Sequence, residues 1–180
     1  MASSDSSSDP ASEGLSVAAG EATLAELGAR DDAVSHLPAS AYENLLVITV
    51  DAVGAVEDAV RSRGGNPADV GVVPVSASPM EYDGPCWTAE RVSPSDLTGI
   101  SIQFSRGERY LRDGAGWVVV DGLGTMLMYA EETKLYRLLS HLVGRSRERR
   151  LHHVTGATAS VSRETTARFR GLHDRSVSLE

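Results

Sequence analysis

The sequence predicts a single α/β domain built on a mainly parallel β-sheet of five or six strands with helices on both faces. Three observations carry this expectation. Residues 45–50 (Leu-Leu-Val-Ile-Thr-Val) and Trp117–Val120 are continuous apolar runs, the pattern of strands covered on both faces. Apolar residues at helical spacing lie between such runs, so strand and helix alternate as βαβ units require. The length, 180 residues with 41% apolar side chains, is one domain's worth of chain and enough to bury a core.

Residues 1–13 read as a disordered Ser/Asp-rich tail, since the first twelve hold six Ser, two Asp and no basic residue. The domain is expected over 14–180. Within 14–38 a short strand is expected over 15–19 and a short helix over 21–27, with Leu24 and Leu27 on one side. Asp51 closes the strand at 45–50. Val53, Val56, Ala59 and Val60 then follow at helical spacing until Gly64-Gly65-Asn66-Pro67 stops the helix. A second buried strand covers 70–75. Residues 76–94, punctuated by Pro79, Gly84, Pro85 and Pro94, form a loop too long to be idle in a compact domain.

Asp96 offers an N-cap to a helix whose apolar positions include Leu97, Ile100 and Phe104, and Gly114 and Gly116 end that stretch. Trp117–Val120 is the third clear strand. Leu135, Leu138, Leu139, Leu142 and Val143 form the best amphipathic stripe in the chain. Strands over 151–155 and 177–179 are expected to flank a helix over Arg163–Arg170. In open parallel sheets ligands sit at the carboxyl ends of the strands, here near Asp51, Ser76, Asp121 and Gly156, with Thr125 just beyond.

Charge narrows the function classes. Seventeen basic residues against twenty-five acidic ones give a net charge of −8, which repels nucleic acid and anionic lipid unless a local basic patch overcomes it. Sixteen of the basic residues are Arg, and Lys134 is the single lysine. An acidic, lysine-poor, aromatic-poor composition is that of a salt-in halophile, where ionic strength screens the repulsion between surface acids. A GC-rich genome favouring Arg codons is the competing explanation. Cys86 stands alone, so no internal disulfide is expected. No apolar run approaches the length needed to span a bilayer, and a cytoplasmic protein without membrane contact is expected.

Among residues that could carry chemistry, Asp121 stands out because an apolar strand closing in Asp is the Walker B arrangement, which holds Mg²⁺. A strand-terminal Asp also serves as a helix cap or turn former. Gly122-Leu123-Gly124 has the start of a dinucleotide fingerprint, but Leu127 stands at the third glycine. His152 and His153 are neighbours in a strand, point to opposite faces and cannot chelate one metal together, so no metal site is expected. Arg145, Arg147, Arg149 and Arg150 cluster at the end of the long helix. They complement its negative end, with a nucleic-acid or acidic-partner contact as the alternative role.

The order Asp96-Leu97-Thr98-Gly99-Ile100, Trp117–Leu123, a helix from Tyr129 to Leu139 and a strand at 151–155 resembles the second half of the RecA-superfamily core of KaiC-like proteins. It is most similar to a group of uncharacterised haloarchaeal KaiC-like proteins, over roughly residues 42–180. There an Asp-Leu-Thr helix precedes a strand ending in Asp-Ser-Leu, and a Tyr-x-x-x-Glu-x-x helix follows. Gly122 replaces the Ser of Asp-Ser-Leu in this chain. The resemblance implies Asp121 in the Walker B position. It also calls for a Walker A phosphate loop, Gly-x-x-x-x-Gly-Lys-Ser/Thr, and the sequence has none.

The expectation is therefore a pseudo-ATPase, catalytically silent and without an ATP or Mg²⁺ cofactor, acting as a regulatory or signalling protein through a protein partner or a second copy of itself. The alternatives are an ATPase subunit with an atypical or partner-supplied phosphate site, and a nucleic-acid-binding accessory using Arg145, Arg147, Arg149 and Arg150.

Overall fold

The computed structural model describes residues 14–179, so the tail expected over 1–13 lies outside the described residues. The strands are β1 (Ala22–Glu26), β2 (Leu45–Thr49), β3 (Val70–Pro74), β4 (Trp87–Thr88), β5 (Trp117–Val120), β6 (His152–Ala157) and β7 (Arg175–Ser178). The helices are α1 (Val53–Ser62), α2 (Leu97–Glu108), α3 (Leu123–Tyr129), α4 (Glu132–Glu148) and α5 (Arg163–Arg170). All seven strands form one sheet in the order β4-β3-β2-β5-β6-β1-β7, and every pairing is parallel.

Successive side chains of a strand point to opposite faces, so each apolar run feeds two cores. Leu46, Ile48, Val118, Val120 and Leu24 pack with α2, α3, α4 and α5. Leu45, Val47, Trp117, Val119 and Ala25 pack with α1 and with the chain around Leu15, Val34 and Tyr42. Each such side chain taken fully from water contributes roughly 1.5–3 kcal/mol, which is why the uninterrupted runs fix these strands.

The expectations before residue 40 are corrected. Residues 21–27, read as a helix, contain β1. Ala, Leu and Glu are good helix formers, but such preferences amount to under about 1 kcal/mol per residue, whereas β1 lies between β6 and β7 and hydrogen-bonds to both, with Leu24 paired to Thr155 and to Ser176. Pairing on both sides outweighs local preference. Residues 15–19 form no strand; they cross one face of the sheet with Leu15 and Val17 buried. The Leu15 N–H donates to His36 O (2.7 Å), and His152 Nδ1 meets Val17 O at 2.6 Å.

Two elements are additional to the expected set. The loop 76–94 holds the two-residue strand β4 and returns for a single bridge between Val75 and Val92. α3 fills 123–129. The Asp96 side chain does cap α2, accepting the Gly99 N–H at 2.9 Å. Among the described residues no helix is long and apolar enough to cross a membrane.

The two faces of the sheet separate the paired histidines. His152 stacks on Trp117 with ring centroids 4.6 Å apart. His153 is fully buried in a polar chain: its Nδ1 lies 3.1 Å from Ser146 Oγ of α4 and its Nε2 2.9 Å from Thr155 Oγ1. Thr155 in turn meets His173 Nε2 at 2.8 Å. Burial, then the charges of His173 and Arg147, push the His153 imidazole down to about 3, so it is neutral in the folded protein.

Candidate functional site at the carboxyl edge of the sheet

β5 delivers Asp121 to the carboxyl edge, where its N–H donates to Ile48 O at 2.8 Å. The chain then turns at Gly122, whose φ of +95° lies in the left-handed region. A Cβ there would stand 2.4 Å from Val50 Cγ2, so the Ser of the Asp-Ser-Leu pattern does not fit this backbone. The turn folds the Asp121 side chain over the end of β6. Its Oδ1 would be 2.1 Å from a Cβ on Gly156, so that glycine makes the room the carboxylate occupies.

Oδ2 of Asp121 accepts the Ala33 N–H at 3.0 Å across 88 residues of sequence. Ala33 ends the turn Leu27-Gly28-Ala29-Arg30-Asp31-Asp32-Ala33 that follows β1. Asp32 accepts the Ser35 N–H at 2.8 Å and its hydroxyl at 2.8 Å, and Asp31 pairs with His36 Nε2 at 2.6 Å. Only two short tight helical turns follow, Val34–His36 and Ala39–Glu43.

The electrostatics are those of a buried acid among acids. Burial is the main cause that pushes the Asp121 carboxyl up to about 7; the Ala33 N–H opposes the rise, and Asp32, Asp51 and Asp31 add to it. Asp51 also titrates above the usual carboxylate range, by partial desolvation and then by the charge of Asp32. A phosphate entering here would meet Asp31, Asp32, Asp51 and Asp121, with one backbone donor already committed to a carboxylate.

Of the strand-end residues expected from sequence, Asp121 and Asp51 share one electrostatic field and the others stand apart. Ser76 shapes its own loop: its Oγ accepts the Ser78 N–H at 3.2 Å and its carbonyl accepts from Arg91 at 2.7 Å. Thr125 is exposed on α3. Lys134 is exposed on the first turn of α4, 4.0 Å from Glu131. Asp31, Asp32 and Ala33 were missed, because a helix read over 21–27 leaves the turn after it unplaced; the adjacent acids Asp31-Asp32 were the available signal.

The basic cluster is largely engaged within the chain. Arg145 pairs with Glu108 at 2.6 Å and Glu148 at 3.1 Å, Arg147 with Asp174 at 3.2 Å and Arg149 with Asp113 at 2.7 Å. Arg150 takes a φ of 56° in the turn after α4. Among the described residues no three His, Cys, Asp or Glu side chains are grouped to hold a metal ion.

A search of curated proteins finds no match. Among solved structures 126 chains are similar. One, a structural-study target from Pyrococcus horikoshii OT3, has a TM-score of 0.52 with 12% identity, over 91% of this chain and 83% of its own length. At that identity the likeness speaks to fold alone. A family profile matches residues 5–179, and the chain therefore belongs to the family of unknown function DUF7504.

Proposed function

We propose that this chain is a catalytically silent RecA/KaiC-like core, a pseudo-ATPase that acts through protein contacts in regulation or signalling. The observation that carries the reading is the hydrogen bond from Ala33 to Asp121. In a working nucleotide site the turn after the first strand would offer several backbone N–H groups at a helix N-terminus, and a lysine, to the β and γ phosphates. Here that turn carries Asp31 and Asp32, leads into no full helix and donates its Ala33 N–H to the residue in the Walker B position. The residues present do not fit Mg-ATP.

Two further features favour a protein partner over nucleic acid. Three of the four clustered arginines already hold carboxylates. Met128, Tyr129 and Ile102 are exposed on the helical face, and Met and Tyr are residues that protein interfaces favour.

Calorimetry with Mg-ATP up to millimolar nucleotide tests the reading, with no measurable binding expected. Submillimolar affinity that disappears in Asp121→Asn would return the protein to the nucleotide-binding enzymes.

A further inference from the structure

A second concave site lies at the opposite, amino end of the sheet. β4 pairs Trp87 with Gly71 of β3, which lays the indole over the sheet's edge. A Cβ on Gly71 would be 3.0 Å from Trp87 Cε3. One on Gly107 of α2 would be 3.3 Å from Trp87 Cζ3 and 2.7 Å from Leu46 Cδ1. Two glycines on different elements thus make the seat for one ring.

Tyr110 stands beside it, with ring centroids 5.8 Å apart and planes tilted by 49°. Asn44 fixes the tyrosine's backbone: its Nδ2 donates to Tyr110 O at 3.0 Å and its Oδ1 accepts the Arg112 N–H at 2.7 Å. The rings line a cavity of about 340 Å³ that also includes Glu43, Asp69, Gly107 and Arg112. Trp87 remains 39% exposed and Tyr110 71% exposed, although both are large aromatic side chains.

The charges at this cavity select its ligand. Among the described residues neither Glu43 nor Asp69, both exposed residues of the cavity's lining, has a Lys, Arg or His nitrogen within 4.0 Å of its carboxylate. The one cation in the lining, Arg112, turns a guanidinium N–H to Glu43 O at 3.3 Å. Aromatic faces carry negative potential and attract cations, most strongly when they converge beside carboxylates. An anionic ligand would meet two acids against one arginine.

We propose that this cavity binds the onium head of an organic cation, an alkylammonium or guanidinium group, seated against the exposed Trp87 and Tyr110 rings with Glu43 and Asp69 supplying the counter-charge. The head comes either from a free small molecule or from a basic side chain of a partner.

Trp87 itself reports on the site. In Trp117→Phe, which leaves Trp87 as the remaining tryptophan, tetramethylammonium chloride should change the emission saturably while NaCl at equal ionic strength does not. Tyr110→Leu, and separately Glu43→Gln with Asp69→Asn, should weaken the response about tenfold. Calorimetry of the wild-type protein with the same salt gives the same reading if Trp117→Phe fails to fold.

Tighter binding of tetramethylammonium than of an Arg- or Lys-containing tetrapeptide assigns a free ligand, and the reverse order assigns a partner's side chain. A non-saturable response matching NaCl, or saturable binding unchanged in both sets of variants, would overturn the proposal. Neither result bears on whether Mg-ATP binds at the far edge.

Discussion

Replacing Asp121 by Asn should stabilise the protein at pH 8 although it alters the most conspicuous acid in the sequence. An acid whose folded pKa is raised binds its proton more tightly in the native than in the unfolded chain, so its contribution is favourable at low pH and is lost as pH rises from the unfolded to the folded value. For Asp121 that window runs from 3.8 to about 7. At ~1.4 kcal/mol per unit the cost of keeping the carboxylate ionised at pH 8 is about 4 kcal/mol, an upper bound for a site that can relax. Asn retains an oxygen for the Ala33 N–H but places an amide near Gly156, which returns about 1 kcal/mol of the gain.

The net expectation is a variant more stable than wild type by about 2–3 kcal/mol at pH 8 and no more stable than wild type at pH 4. Urea unfolding followed by the buried Trp117 at several pH values measures this. Titrations of groups not coupled to Asp121 cancel in the difference between the two proteins; Asp31, Asp32 and Asp51 add a smaller change of their own. A stability difference that does not change with pH, or an Asn variant weaker than wild type at pH 8, would refute the assignment of Asp121 as a buried, strained acid.

The other expectations concern the backbone, the buried imidazole and salt. Gly122→Ser should cost roughly 2 kcal/mol or more by chemical denaturation, because φ is +95° and the new Cβ meets Val50; a change under about 0.5 kcal/mol would show that the turn relaxes freely. His153 is a base whose folded pKa lies below the unfolded one, so its own contribution should fall as pH drops below 6.5 toward 3, while Asp121 acts in the opposite sense over the same range. The measure is therefore the difference between wild type and His153→Gln, which should shift by about 2 kcal/mol in favour of the variant between pH 7 and pH 5; a difference that does not change with pH would count against the neutral, buried imidazole. Raising KCl from tenths molar to several molar should raise the melting temperature if the Arg-for-Lys, acid-rich composition is an adaptation to a salt-in cytoplasm, and a flat or falling curve would argue for codon bias instead.

The sheet's centre was legible because buried parallel strands announce themselves. Leu45–Thr49, Val70–Pro74 and Trp117–Val120 are apolar without interruption, and α4 shows its stripe at helical spacing. β1 was not legible: Ala-Thr-Leu-Ala-Glu is short, and its strand state depends on partners more than 125 residues away in β6 and β7. That one error hid the turn after it, and with it most of the candidate site. Asp121 could be picked out as a strand-terminal acid. Its burial, its bond to Ala33 and the space opened by Gly156 arise only when three strand ends converge. The arginine cluster was visible as a run, but its carboxylate partners Glu108, Asp113 and Asp174 lie on other segments, so no local pattern could reveal that it is largely neutralised.

The broken strand in the long loop bears on how copies of this chain can meet. An open parallel sheet presents unpaired backbone groups at each margin, and a second copy could add its own margin there and continue without limit. On the β3 side Ala89 and Val92 already donate to Val72 O and Pro74 O, Pro74 has no N–H to give, and the two contacts are separated by residues that leave the line. An incoming strand would find no stretch of free groups in register. The opposite margin, β7, is four residues long and places Arg175 beside Glu21, a charged flank on the last strand. Among the described residues both margins are thus poor templates for strand addition, one interrupted and the other short and charged.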